Sequence, residues 1–265
     1  MLMRGNVSQR SGNSHERLLH VLDLFSAERP QWTADAVGDA LAVSRATQYR
    51  YLKALTKAGL LAPVGDAGYR LGPRVFVLDR QIRQSDPLLE HGPRVMSQAC
   101  KALGAEQILC THFGNQVLCV HQESAGELVR SSMQRGRPFP LFSGAASKAI
   151  LAWLPEYRQR SLMLAHPREI NVAGLGDTYT EFRSKLKAIR SAGHVIGWGE
   201  IDEDLVGVGA PILMKNAEVI GSLTTVIPRV DASSPRIDQL RTATKEAAGD
   251  ISSRLLAIPG AQVIQ

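Results

Sequence analysis

The chain has 265 residues, 44% of them hydrophobic, 21% charged and 5% aromatic, with a formal net charge of +6. That composition is ordinary for a globular protein of a small and a larger domain, and it excludes a collagenous, disordered or coiled-coil array, while no apolar run reaches the ~18 residues of a membrane helix. Three cysteines are too few for a disulfide framework, and Met1 to Arg17 lacks the apolar core of a secretory signal, so a reducing cytoplasm and no membrane are expected.

Residues 1–13 read as a disordered tail. Ser14 is placed to cap a helix whose apolar positions are Leu18, Leu19, Leu22, Leu24 and Phe25, broken at Glu28-Arg29-Pro30. Thr33 caps a short second helix with Val37, Ala40 and Leu41 inward. Ser44 caps a third that runs to Ala58, where Gly59 supplies a left-handed stop. Leu60 to Ala62 and Tyr69 to Gly72 then form a β-hairpin around the turn 65–68. Three short helices and a hairpin over 14–73 describe a winged helix-turn-helix.

The third helix carries Gln48, Tyr51, Leu52 and Leu55 on one stripe and Arg45, Ala46, Tyr49, Arg50, Lys53 and Lys57 on the other. Hydrogen-bonding groups near the helix start and cations further along suit a major groove, bases first and phosphates behind. Thr33, Ser44, Thr47 and the wing residue Arg70 complete the candidate contacts to double-stranded operator DNA, Ser44 and Thr47 as hydroxyl donors to phosphate. Residues 1–80 hold 11 Lys and Arg against 7 Asp and Glu, so much of the excess charge lies in this first third. The run from Gly38 to Leu55, with Gly59-Leu60-Leu61 and Tyr69-Arg70-Leu71-Gly72, resembles the N-terminal domain of the IclR family of bacterial transcriptional regulators. Arg50, Leu52, Leu55, Tyr69, Leu71 and Gly72 match that pattern; Gln48 departs from it, standing where an apolar residue is usual.

Residues 74–89 read as a linker helix with the domain boundary near Gln84 to Pro87, and 90–258 as a mixed α/β domain ahead of a short tail, 259–265. Expected there are a helix over 95–103, strands over 108–113 and 116–122 turning at Gly114-Asn115, and helices at 145–154, from Pro155, and at 182–192. Strands over 209–213 and 219–227 follow. A last helix, 235–256, places Ile237, Leu240, Thr244, Ala247, Ile251 and Leu255 on one side. The stretch Gly136 to Ala152 is a loop entering a helix, whose small residues at 143–147 admit a ligand and whose first N–H groups suit a carboxylate. It resembles an effector-domain motif of the same family, with Phe142 in place of the usual His and Ser147 in place of the usual Gly. Gly199 to Ile212 resembles a second such motif, with Asp204 where Gly is common. The resemblance implies an α+β protein whose C-terminal, GAF-like effector-binding domain senses a small organic acid, aromatic or short-chain, around Phe139, Ala145, Ala146, Glu200, Gly207, Thr224 and Val226. It also implies a homodimer or homotetramer on a pseudo-palindromic operator.

Two rival readings are open at this level. If the hairpin pairs Phe113 with Gln116, period-two alternation sets Cys110, His112, Cys119 and His121 on one face, a zinc or redox ligand set in composition though not in spacing. Glu200, Asp202, Glu203 and Asp204 form an acidic cluster that reads as a solvated loop rather than an acid/base pair. No nucleophile elbow, zinc-protease, P-loop or dinucleotide fingerprint is present, so catalysis and a cofactor are not expected.

Overall fold

The computed structural model describes residues 13–65, 68–124, 126 and 131–258. The expected tails, apart from Asn13, and Asp66-Ala67 of the hairpin turn lie outside the described residues. The described chain forms two compact units that divide between Arg83 and Gln84.

In the first unit, α1 (Ser14–Leu19) is capped by Asn13, not Ser14. The Asn13 side chain accepts from Glu16 N while the Glu16 carboxylate accepts from Asn13 N. The helix ends early, and Leu22–Leu24 continues as a 3₁₀ turn. A two-residue strand, β1 (Trp32–Thr33), precedes α2 (Ala34–Leu41), capped by Thr33 as expected. Val37 and Gly38 are buried, whereas Ala40 is exposed, contrary to expectation. Ala42 takes a left-handed turn, φ +50°, into α3 (Arg45–Lys57). Gln48, Tyr51, Leu52 and Leu55 are all buried on α3. Gln48 fits because Gly38 faces it, and any side chain at 38 would strike its amide oxygen. β2 (Leu61–Val64) and β3 (Gly68–Leu71) make the expected wing, with β1 added to its edge through Trp32 opposite Tyr69. Val21, Val37, Tyr51, Leu52, Leu55 and Leu61 share one core. The linker helix α4 (Arg74–Ser85) follows, with Phe76 79% exposed beside exposed Val75, Val77, Leu78 and Ile82.

The second unit begins with α5 (Pro87–Leu103), which starts eight residues before the expected Val95 because Asp86 caps it and Pro87 occupies its first position. Six strands build one antiparallel sheet: β4 (Glu106–Phe113), β5 (Gln116–Glu123), β6 (Pro138–Pro140), β7 (Val195–Trp198), β8 (Leu205–Leu213) and β9 (Val219–Pro228), in the order β6-β5-β4-β9-β8-β7. Helices α6 (Ala145–Leu151), α7 (Glu156–Ala165), α8 (Pro167–Val172) and α9 (Tyr179–Ala192) lie between β6 and β7, and α10 (Ser234–Leu256) closes the chain. On one side of the sheet, Ile108, Cys110 and Val117 pack with Leu141, Ile150, Leu151 and Phe182; on the other, Leu109, Ile212 and Leu223 pack with Leu88, Met96, Ile251 and Leu255. Ala248, one residue beyond the expected Ala247, is the buried alanine of α10. Thr225 Oγ1 donates to Gln107 Oε1 at 3.0 Å and lies 2.7 Å from Thr244 Oγ1, so these three buried polar side chains of β9, β4 and α10 satisfy one another.

Glu106 at the start of β4 is 1% exposed, and burial pushes its carboxyl pKa up against the opposing hydrogen bond from Gln122. The folded chain therefore holds this proton to a higher pH than the unfolded chain. The resulting penalty is absent below the usual carboxylate range, grows as pH rises through the raised value, and is complete above it. Glu106→Gln is expected to raise the melting temperature at pH 7.5 and to leave it unchanged near pH 4; calorimetry at the two pH values checks this.

Candidate effector cavity and nucleic-acid interface

The α3 surface is assembled as its periodicity requires. Arg45, Ala46, Tyr49, Arg50, Lys53 and Lys57 are exposed together, Thr47 is half-buried, and Arg70 is exposed on the wing. Lys53 Nζ lies 5.6 Å from the Tyr49 ring centroid. Arg45 approaches Asp35 at 3.9 Å, but side-chain exposures of 90% and 77% leave that pair nearly without energetic weight. Two hydroxyls are engaged within the fold. Thr33 Oγ1 accepts the Ala36 N–H, and Ser44 Oγ accepts the Thr47 N–H while donating to Thr47 Oγ1. Ser44 is thus a cap whose own proton is used, which leaves Thr47 as the hydroxyl donor of the two.

In the second unit three glycines let a helix settle onto the sheet. Gly197 on β7 and Gly207 and Gly209 on β8 lie under Ala145, the first residue of α6; a Cβ on Gly209 would stand 2.6 Å from the Ala145 carbonyl oxygen. Ser222 Oγ on β9 donates to the Ala146 carbonyl at 3.0 Å and fixes the same contact from the other side. The result is a small, partly open cavity of about 40 Å³ between α6, the loop 199–204 and strands β8 and β9, holding roughly two or three waters' worth of space. Ala145, Ala146, Glu200, Gly207, Thr224 and Val226 all line it. Phe139 on β6, expected with them, instead pairs with Val117 of β5 and packs in the core, because β6 turns it inward.

Gly144, Ile201, Asp202 and Leu205, inside the two motif stretches but not singled out among the candidates, also line it, as do Ser131 and Met133, which lie outside both. Thr224 lines the cavity, and its hydroxyl is buried with no hydrogen-bond partner.

The acidic loop is not simply solvated. Glu200 Oε2 lies 2.6 Å from Lys148 Nζ and accepts the Gly144 N–H at 3.0 Å. Asp202 Oδ2 accepts from Ser131 Oγ and Ser132 N at 3.2 and 2.9 Å. The first N–H expected to greet a carboxylate at α6 is therefore already held by the protein's own acid.

The hairpin register follows expectation from Phe113 opposite Gln116 up to Cys110 opposite Cys119, then breaks. A bulge between Leu109 and Cys110 leaves Val120 as the extra residue and sets His121 opposite Leu109. His121 is thus turned to the other face, where its Nε2 lies 2.8 Å from Glu123 Oε1, and the four-residue ligand set does not form. Among the described residues no group of three or more His, Cys, Asp or Glu is placed to hold a metal. Cys110 and Cys119 are free, fully buried thiols, and Cys110 is pushed well above the ordinary thiol pKa by its hydrogen bond with Cys119 and by burial.

Among known proteins, the model of the bacterial transcriptional regulator IclR C-terminal domain matches residues 82–253, and that of the IclR helix-turn-helix domain matches residues 14–65. The chain is 21% identical to the HTH-type transcriptional regulator KipR of Bacillus subtilis, over 93% of this chain and 98% of that one. It is 23% identical to the HTH-type transcriptional regulator XynR of Escherichia coli, over 82% and 88%. Its fold is similar to that of an IclR transcriptional regulator from Alicyclobacillus acidocaldarius, with a TM-score of 0.76, 19% identity and coverage of 92% and 99%. It is also similar to an IclR homolog from Microbacterium hydrocarbonoxydans complexed with 4-hydroxybenzoate, with a TM-score of 0.73, 22% identity and coverage of 93% and 100%. Among the described residues no helix is long and apolar enough to cross a membrane.

Proposed function

The chain belongs to the IclR family of bacterial transcriptional regulators, and on that premise we propose that it is an effector-responsive regulator of a catabolic operon, acting in the cytoplasm and sensing a small organic acid. The observation that carries the reading is the cavity beside α6, with its unpartnered Thr224 hydroxyl. The 4-hydroxybenzoate held by the Microbacterium homolog supports an aromatic or short-chain acid as the chemical class. Two protomers present their α3 helices to successive half-sites of a pseudo-palindromic duplex. The exposed apolar residues of α4, led by Phe76, are the surface on which a second copy would pair. Effector binding shifts operator affinity only by its preference for one of two states, typically about 1–3 kcal/mol.

A thermal-shift screen of small carboxylates, followed by operator binding with and without the hits, tests the reading. Thr224→Val sharpens it. Removing a buried unpartnered hydroxyl is expected to raise the melting temperature of the ligand-free protein, since such a group costs about 1–3 kcal/mol, and to weaken the effector response at unchanged ligand-free operator binding. Loss of operator binding together with the response would mean that Thr224 is structural only.

A further inference from the structure

Lys148 is a buried cation, 8% exposed, on a helix otherwise made of Ala, Ser, Ile and Leu. A lysine in such a place needs a partner, and Glu200 is that partner. Glu200 reaches it across the cavity wall from the loop 199–204, and its own side chain keeps 25% exposure, so it has a path to solvent. Among the described residues, those lining the cavity include two acids and no cation. Asp202 is fixed by Ser131 and Ser132. An acid entering beside Glu200 as it stands would meet like charge with no free counter-charge among the described residues, and the cavity as it stands has little room for one.

We propose that Glu200 is an internal stand-in for the effector's carboxylate. The incoming acid displaces it, pairs with Lys148 and the Gly144 N–H, and reaches the Thr224 hydroxyl with its remaining polar atoms. The exchange rests on the effector reading above. It resolves both difficulties at once, because the charge around Lys148 is unchanged and the volume filled by the Glu200 carboxylate is released to the ligand. Gly199, at φ +64°, precedes Glu200, whose side chain is the part that must move. Glu200 therefore leaves Lys148 and the Gly144 N–H only when an acid has taken its place, while Asp202 keeps its bonds to Ser131 and Ser132, which makes the position of the Glu200 side chain a readout of occupancy.

The sign of one substitution separates this arrangement from a Glu200 that contacts the ligand directly. Glu200→Gln keeps the shape and an oxygen for Gly144 but holds Lys148 with a neutral dipole in place of a charge. The full-length chain is titrated calorimetrically with benzoate, 4-hydroxybenzoate and acetate, and with benzamide as the uncharged control. Carboxylate binding is expected to tighten about tenfold in Glu200→Gln while benzamide binding is unchanged, and the gain is expected to vanish when Lys148→Met is added. Should Glu200→Gln fold poorly, Glu200→Asp, which keeps the charge but falls one methylene short of Lys148, is expected to tighten the carboxylates to a lesser degree. Equal or weaker carboxylate binding in the substituted proteins than in the parent overturns the exchange and leaves the effector reading intact. Failure of all three carboxylates to bind the parent and both single variants overturns the effector reading and the exchange with it.

Discussion

Arg45→Ala is expected to weaken operator binding by about 1–3 kcal/mol per half-site, roughly 5- to 150-fold, and to relax base preference at one position of that half-site. Arg45 opens α3, fully exposed, where a guanidinium can reach the paired acceptors of a guanine edge. Its contact with Asp35 is too exposed to oppose this. Arg50 lies one and a half turns further along the same exposed stripe, with Lys53 beyond it. Arg50→Ala is expected to weaken binding evenly across sequences and to lower the dependence of affinity on salt by about one counterion per protomer, the signature of a lost phosphate contact. Duplexes selected from a random pool by the parent protein, measured by mobility shift at several salt concentrations, give all three quantities. If both variants hold the selected duplex as tightly as the parent, α3 is not the helix in the groove.

Gly209→Val is expected to produce the largest loss of stability of any single change around the cavity. The new Cβ would stand 2.6 Å from the Ala145 carbonyl oxygen and 2.7 Å from its carbon. Those are backbone atoms, already fixed by the bond from Ser222 Oγ to Ala146, so they cannot turn aside as a side-chain tip can. Either α6 lifts from β8 or the strand bends, and overpacking of this kind costs about 1–3 kcal/mol, more where backbone must move. In a domain of this size each kcal/mol lowers the melting temperature by about 2–4 °C. The same shift opens the cavity, so a thermal scan should show a lower transition together with a lost response to any carboxylate that binds the parent. A parent-like melting temperature would mean that α6 does not rest on the sheet as described.

The two units differ in how much of them their residues announce. In the first, nearly every determinant is local: Thr33 and Ser44 cap their helices, Gly59 stops α3, and the inward residues of α3 recur at helical spacing. Its misses are local too. Asn13 outcompetes Ser14 as a cap because Glu16, three residues on in the first turn, completes the capping box, and Ala40 turns outward because Gly38 takes the contact with Gln48.

In the second unit the hairpin β4–β5 and the helices α9 and α10 were legible, whereas β6, β7 and α8 were not. β6 is three residues with proline at both ends, and β7 gains its identity only from pairing with β8. One bulge removed a metal site that strict alternation had placed on a single face. The cavity residues came from resemblance rather than from spacing, and the Lys148–Glu200 pair carries no local signal because 52 positions separate its members. Phe139 shows the same limit from the other side: its motif pointed to the ligand, and strand pairing sent it into the core.

The strand order of the larger sheet also sets when the protein can exist as a folded object. Its central pairing joins β4 to β9, with Ile108 opposite Thr224, so the middle of the sheet waits for a segment made more than a hundred residues later. The helix-turn-helix and its wing close their contacts by Leu71. As the chain leaves the ribosome, the DNA-binding unit is therefore complete while β4 and β5 are still an open two-stranded edge, and contacts of such wide sequence separation form slowly. Chains truncated after residue 90 and released should already resist proteolysis over the helix-turn-helix and its wing, whereas those truncated before Pro228 should be cut throughout the second unit.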